Sequence, residues 1–378
     1  MTQHAFSTDS AERQALRDLL TLCLIPGVGP RTRHELLQRF ETTSAILSAP
    51  ADELRQVPGV GRELSSRIAA ARYEIDADRE IQLCQRHGVG IIAEADSHYP
   101  RLLHEIAAPP GMLFWHGDSR PCDELAMAIV GTRRATHYGI RQAERLAMGL
   151  SAAGLTIVSG LARGIDAAAH RAALKAQGRT IAVLGSGVLN VYPPEHTALA
   201  EEIRNHGAVI SELPPLRKPM SGTFPMRNRL ITGLCLGVLV VEAGQRSGAL
   251  ISASHAAEQG REVFAVPGPA DSRTSRGCHQ LIRDGAKLVE SVDDVLDELG
   301  PLADSLPRPD GGVLRHPAEL KLNDQERQIL DAIRTEPTEI DLIANVTDIP
   351  IHRVLATISV LEIRHLIHRV SGNTVVRL

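Results

Sequence analysis

Aromatic residues are scarce in this chain of 378 residues, at 3% of the total, so a ring in a polar loop stands out. Cysteines are few as well. The five of them (Cys23, Cys84, Cys122, Cys235, Cys278) lie far apart, with no CxxC pair or Cys/His cluster. That spacing argues against a zinc site or a disulfide framework and fits a reducing cytoplasm, the expected location. No run of about 18 apolar residues is present to cross a membrane, and MTQHAFSTDS lacks the basic-then-apolar pattern of a secretory signal. A basic excess is missing too: 41 Lys and Arg against 45 Asp and Glu give a net charge of −4, so any polyanion site must be local. Walker loop, HExxH zinc helix and nucleophile elbow are all absent, which removes the common phosphoryl-transfer, metal-hydrolytic and acyl-transfer mechanisms. Neither metal nor cofactor is expected.

What is present divides the chain into blocks. At 43% hydrophobic composition, 378 residues can bury a large core in two or three domains. Residues 1–85 read as helical and contain an internal repeat, LCLIPGVGPRTRHELLQRF and LRQVPGVGRELSSRIAAAR. Each copy carries Pro-Gly-Val-Gly between two helices, so Gly27, Gly29, Gly59 and Gly61 can supply the positive φ of a tight hairpin. The spacing resembles the helix-hairpin-helix motif, whose amides hold a DNA backbone; Arg31, Arg33, Arg62 and Arg67 can add charge, and packing or a protein contact is the alternative. Residues 301–318 are rich in Pro, Gly and Asp and read as a linker. From 319 to 378 the order helix, helix, helix, ribbon resembles a winged helix, with the third helix carrying His352 and Arg353 toward duplex DNA or a protein partner.

Between these lies a block, 86–300, of short apolar runs alternating with amphipathic helices. Candidate strands are 127–130, 156–159, 180–184, 209–212, 238–242, 262–266 and 287–289. Continuous apolar runs suit strands covered by helices on both faces, so a doubly wound, Rossmann-like parallel sheet is expected, with ligands at the strands' carboxyl ends.

Those ends hold the unusual residues. The first offers Gly131, Thr132, Arg133 and Arg134; the second Ser159, Gly160, Arg163, Gly164 and Asp166. A glycine turn entering a helix is expected to expose backbone N–H groups to phosphate, and arginines beside it suit a polyanion. GSG at 185–187 reads as close packing, since it lacks the third glycine of a dinucleotide fingerprint. From Glu212 to Glu242 there is no intervening carboxylate, yet Arg217, Lys218, Arg227 and Arg229 fall within this window. Phe224 beside Pro225 is the ring that stands out: it can stack on a base, or staple the following helix. Asn228, between two arginines, is a contact or a cap. After the fifth strand, Glu242 leads into Gly244, Arg246, Ser247 and Gly248. Glu242, and Asp166 with His170 four residues on, read as structural acids or as pocket acids with a tuned pKa.

The succession YPRLLHEIAAPPGMLFWHG, IVGTRRATHYG, VSGLARGIDAAAH, TIAVLGSGV, VYPPEH, FPMRNRLITGL, VVEAGQRSGALISASHAAEQGREVFAVPG and CHQLIRDGAKLV resembles the DprA/Smf family of DNA-processing proteins, continuously from about Tyr99 to Val289. The resemblance implies a protein that binds and protects incoming single-stranded DNA in natural transformation, loads the RecA recombinase onto it, and forms a homodimer through the Rossmann-like core. It carries the DNA pocket over to Arg133, to the turn around Arg163, and to Phe224, Arg227 and Arg229. Where some relatives have a lysine just before the Phe, this chain has Ser221 and Gly222, with Lys218 further off. The same Rossmann variant also resembles nucleotide phosphoribohydrolases of the lysine-decarboxylase-like type. Their PGGxGTxxE loop is missing here, where Pro267, Gly268, Pro269 and Ala270 stand.

Overall fold

The structure is a computed structural model describing residues 10–304, 324–334, 337–363, 366–371 and 373–377. Two compact units are present, Met1–Gly312 and Val313–Leu378. The expected linker at 301–318 lies outside the described residues from 305 onward, as does Gly372 in the expected C-terminal hairpin turn. Among the described residues no helix is long and apolar enough to cross a membrane.

The first unit opens with six helices: α1 (Ser10–Leu24), α2 (Pro30–Phe40), α3 (Thr43–Ser48), α4 (Ala51–Leu54), α5 (Arg62–Glu74) and α6 (Ala77–His87). Both expected hairpins form, with one correction. Gly27 and Gly59 take positive φ (99° and 82°), but Gly29 and Gly61 are the N-caps of α2 and α5 at φ −90° and −79°. An N-cap is extended so that its own carbonyl can start the helix ladder, which leaves the left-handed bend to the glycine two residues earlier. Leu22, Leu36, Ile46, Leu54 and Ile68 fill a small core between these helices. Leu20 of α1 and Cys84 of α6 turn instead onto the sheet, joining Phe114, Leu184 and Val209. Arg33 is buried: its Nη2 lies 2.5 Å from Glu94 and 3.2 Å from the Pro109 carbonyl. It ties helices to sheet and is not a surface charge. Arg67 bonds Glu63 and the Pro26 carbonyl, whereas Arg31 and Arg62 are exposed.

The sheet has nine strands: β1 (Gly90–Ala93), β2 (Met112–Gly117), β3 (Ala126–Val130), β4 (Thr156–Ser159), β5 (Thr180–Val183), β6 (Ala208–Ser211), β7 (Gly237–Val240), β8 (Glu262–Ala265) and β9 (Lys287–Leu288). Their order is β1-β2-β6-β5-β4-β3-β7-β8-β9. The helices between them are α7 (Arg101–His104), α8 (His137–Ala152), α9 (Ile165–Lys175), α10 (Thr197–His206), α11 (Thr223–Gly233), α12 (Gly248–Glu258) and α13 (Arg276–Arg283), and α14 (Asp293–Asp304) follows β9. All seven expected strands form and pair in parallel. What strand-helix alternation missed is the antiparallel hairpin β1–β2, which covers the free edge of β6. The segment 94–111 between its strands holds just the single turn of α7, so no helical period marks them. A Rossmann-like core with one mixed edge results.

Strand order decides where a ligand can sit. From β3 the chain steps outward through β4 and β5 to β6, then returns along α11 to lay β7 on the other side of β3. The turns that follow β3 and β7 diverge, and a crevice opens at this switch point. Ala128, Val130, Val158 and Val240 build the core beneath it, with Leu230 and Ile231 of α11 above.

The second unit is a winged helix in outline: helices Asp324–Ala332, Ile340–Thr347 and Ile351–Ile363, and strands Thr338–Glu339, Ile367–Ser371 and Thr374–Arg377, the last lying between the other two. Ile329, Ile343, Val354, Ile358 and Leu361 form its core. Pro350 immediately precedes the third helix, where its fixed φ is preorganised for the entry.

Candidate nucleic-acid interface

A cavity of about 750 Å³ occupies the crevice between the carboxyl ends of β3 and β7. It brings together residues from five separated segments, one of them contributing Tyr192. Gly131, Thr132, Arg133 and Arg134 come from the turn after β3, Asp166 from the start of α9, Phe224, Arg227 and Asn228 from α11, and Ser247 and Gly248 from the start of α12. Gly160 and Arg163 line an adjoining recess together with Arg133, Phe224 and Arg227. Ser159, Gly164, Lys218, Arg229 and Glu242 are not among the residues lining either.

The centre of the cavity is an aromatic corner. The Arg133 guanidinium carbon stands 5.5 Å from the centroid of the Phe224 ring, and the Tyr192 ring lies 5.6 Å from Phe224 at an interplanar angle of 47°. Phe224 fits there because Gly185 has no side chain: a Cβ at that position would come within 2.8 Å of the ring. Close packing was the role read for the GSG run, and Gly187, where a Cβ would sit 2.1 Å from the Pro214 carbonyl, fills it also. Gly131 and Gly164 let the two arginine turns approach one another; a Cβ on Gly131 would meet Ile165 at 2.5 Å, and one on Gly164 the Thr132 carbonyl at 2.3 Å.

The turn amides are a correction. The spacing predicts them free for phosphate, but five of them are taken within the protein, three by buried carboxylates, one by a backbone carbonyl and one by a hydroxyl. Glu242 accepts from Thr136 N at 2.9 Å and from Thr136 Oγ1 at 2.6 Å, while its backbone carbonyl accepts from Thr132 N at 2.7 Å. Arg134 N donates to Thr132 Oγ1 at 3.2 Å. Asp166 accepts from Gly160 N and Ala162 N at 3.2 and 3.4 Å. A buried acid needs such donors: Asp166 closes the turn just before it, whereas Glu242, just past the end of β7, closes the turn after β3. Burial pushes the Asp166 carboxyl up, opposed by the Arg227 charge and by these two N–H groups. His170 has no part in this: its Nδ1 lies 2.7 Å from Thr180 Oγ1.

Arginine side chains therefore carry the positive charge of the cleft, and they divide into three kinds. Arg133 and Arg134 are exposed and, among the described residues, pair with no carboxylate. Arg163 is exposed but sits 2.5 Å from Glu195, which raises its pKa. Arg227 and Arg229 are spent on the scaffold. Arg227, 5% exposed, donates to the carbonyls of Gly160 (2.8 Å) and Val183 at the ends of β4 and β5. Burial lowers its pKa to about 10, opposed by Asp166, so it stays charged near neutral pH. Arg229 faces away, bonded to Glu212 and, at 2.6 Å, to the Ala108 carbonyl. Asn228 links α11 to α12 through the Gly248 carbonyl at 3.3 Å, and Ser247 caps α12. Lys218 is exposed on the preceding loop.

Tyr192, Met220 and Ile251 also line the cavity, and the sequence reading did not single them out. For Tyr192 the signal existed, since it is one of only four tyrosines; the two aliphatic side chains carried none. Among the described residues no cluster of His, Cys, Asp and Glu is placed to hold a metal. Cations on one side, rings at the centre and aliphatic walls suit a ligand with a flat base and a phosphate. In the second unit, His352 and Arg353 are exposed on the first turn of the third helix.

The model of the DNA recombination-mediator protein A family matches residues 90–300, the stretch that builds this cavity. The chain belongs to that family, known as DprA or Smf. A DprA winged-helix domain matches 314–373, and a SAM-like helix-hairpin-helix tandem matches 17–72. Protein Smf of Synechocystis sp. is 37% identical over 92% of this chain and 95% of its own length. The X-ray structure of DprA from Streptococcus pneumoniae superposes with a TM-score of 0.65 at 36% identity, covering 74% of this chain and 95% of that one. DprA of Helicobacter pylori, whose structure describes a single-stranded DNA binding mode, gives a TM-score of 0.50 at 30% identity over 54% of this chain and 93% of its own. The DprA/Smf core thus coincides with the sheet whose switch point holds the aromatic corner.

Proposed function

We propose that this chain binds single-stranded DNA in the β3–β7 cleft, protects it, and delivers it to the RecA recombinase, as a cytoplasmic homodimer in DNA uptake. The observation that carries the reading is the Arg133–Phe224–Tyr192 corner: an exposed guanidinium over a half-buried ring, with a second, exposed ring tilted against it. Base stacking on such rings tolerates any sequence and contributes about 1–3 kcal/mol per base. A duplex keeps its base faces stacked inside, so only an unpaired strand can use the corner. Arg133 and Arg134 take the backbone. Arg163, Lys218, Ser247 and Gly248 flank them, while Gly131, Thr132, Ser159, Gly160, Gly164, Arg227, Asn228 and Arg229 hold the turns and α11 in place. The hairpin glycines and the His352–Arg353 helix are accessory contacts in this proposal. The single-stranded DNA binding mode described for the Helicobacter pylori relative supports the single-strand ligand, and the role implied by the family resemblance supports the recombinase.

Fluorescence anisotropy with single-stranded and duplex oligonucleotides at two salt concentrations tests the first step. Strong preference for the single strand with a steep salt response is expected; equal affinity for both, or a flat response, overturns the reading. The second step is tested by RecA assembly on a strand coated with single-strand-binding protein, which this chain should accelerate. A phosphoribohydrolase would need a free acid at the base, but Glu242 is 3% exposed and committed to Thr136 and Thr274.

A further inference from the structure

Three arginine-bearing turns lie side by side at the carboxyl ends of β3, β7 and β8; the first lines the cavity, the second reaches its rim at Ser247 and Gly248, and the third lies outside it. The turn after β3 ends in Arg134, the turn after β7 carries Arg246, and the segment after β8 carries Arg273 and Arg276. All four side chains are exposed, and among the described residues none pairs with a carboxylate. Each segment is nearly free of acids: 131–143 and 243–257 hold none, and 263–283 holds only Asp271.

One buried residue knits the three together. Thr136 Oγ1 and Thr274 Oγ1 both donate to the same Glu242 oxygen, at 2.6 and 3.2 Å. Backbone bonds complete the seam, from Ala243 N to the Thr274 carbonyl and from Gly277 N to the Ala243 carbonyl, each 2.8 Å. A Cβ on Gly277 would lie 2.6 Å from that Ala243 carbonyl, so the start of α13 is pressed against the β7 turn. The acid's charge is turned inward, and the arginines of the same turns are left outward.

We propose that these arginines form a phosphate track that carries the strand out of the cleft, across the ends of β7 and β8, toward α13. The inference rests on the single-strand reading of the cleft and adds a direction and a length to it. Neighbouring strands are ~4.8 Å apart, so the ends of β3, β7 and β8 span roughly 10 Å. No Phe, Tyr or Trp lies on 243–257 or 269–283, so the track grips backbone and adds charge-dependent affinity.

The test uses the full chain and thymidine oligomers of about 4 and about 15 nucleotides, lengths at the two ends of common single-strand site sizes. In Arg246→Gln/Arg273→Gln/Arg276→Gln, affinity for the short oligomer should match the parent. Affinity for the long oligomer should fall, with its log–log salt slope reduced by about 2, at ~0.7 per lost contact. The corresponding triple lysine variant should restore the slope, because counterion release depends on charge and not on the guanidinium fork. Unchanged long-oligomer binding in the glutamine variant, with Arg133→Ala still impaired, overturns the track and leaves the cleft standing. Failure of the parent chain to bind either oligomer overturns both. A single Arg273→Glu reversal, checked for an unaltered melting temperature, gives an independent reading; it should weaken the long oligomer alone.

Discussion

Arg133 rests over the face of Phe224, 5.5 Å from guanidinium carbon to ring centroid. The contact couples the two means of holding a strand, since the ring that stacks a base also positions the cation that meets the phosphate. Phe224→Ala is expected to lose about 1–3 kcal/mol of single-strand affinity with little change in salt slope. Arg133→Ala should lower the slope by ~0.7. The double variant should lose less than the sum, because removing the ring also frees the guanidinium. Additive losses in anisotropy titrations would show that the pair acts independently.

Arg163 is held by Glu195 at 2.5 Å, with both side chains about half exposed. The guanidinium holds the Glu195 carboxyl below its usual range. Exposed pairs add little to stability, so Glu195→Gln should leave the melting temperature unchanged while releasing Arg163 to phosphate. Tighter single-strand binding with a slope steeper by ~0.7 is the expected outcome. Unaltered affinity would place Arg163 outside the path of the strand.

Arg229 and Glu212 form a pair with side chains only 13% and 14% exposed. Removing one member leaves a buried charge without its partner, which typically costs about 3–5 kcal/mol. Arg229→Ala should therefore lower the unfolding midpoint sharply, while protein that remains folded binds single strands normally. Lost affinity at unchanged stability would make Arg229 a direct contact.

His170 is fully buried, and burial lowers its pKa to about 3. Thr180 Oγ1 donates to the Ile157 carbonyl, so His170 Nδ1–H donates to Thr180, and Nε2 is left buried without a partner among the described residues. The unfolded imidazole takes up a proton near pH 6.5, the folded one only near 3. Stability is thus complete above about pH 6.5 and falls as pH drops toward 3, by on the order of 3 kcal/mol at pH ~4. Urea midpoints followed over this range should decline in the parent chain and decline less in His170→Asn. Parallel curves would assign the acid sensitivity to other groups.

Much of this architecture is legible in the chain itself, and particular residues show how far. Apolar runs at 156–159, 180–184 and 262–266 announce buried strands because a strand covered on both faces needs no polar alternation. Phe224 stands out because the chain has so few rings, and the hairpin repeat because Pro-Gly-Val-Gly occurs twice. The β1–β2 hairpin did not, since its two short strands flank only one helical turn.

Local pattern, then, settled the seven parallel strands, their glycine turns and the acid-free stretch around Phe224, because each depends on neighbours within a few residues. Tertiary structure alone decided that β7 returns beside β3, that Tyr192 meets Phe224, that Glu242 and Asp166 occupy the turn amides, and that Arg227 and Arg229 brace the scaffold while Arg133 faces the cleft. Those outcomes turn on which distant segments become adjacent. An arginine's partner is set by the strand order that places a carboxylate or a carbonyl beside it, and no spacing along the chain encodes that order.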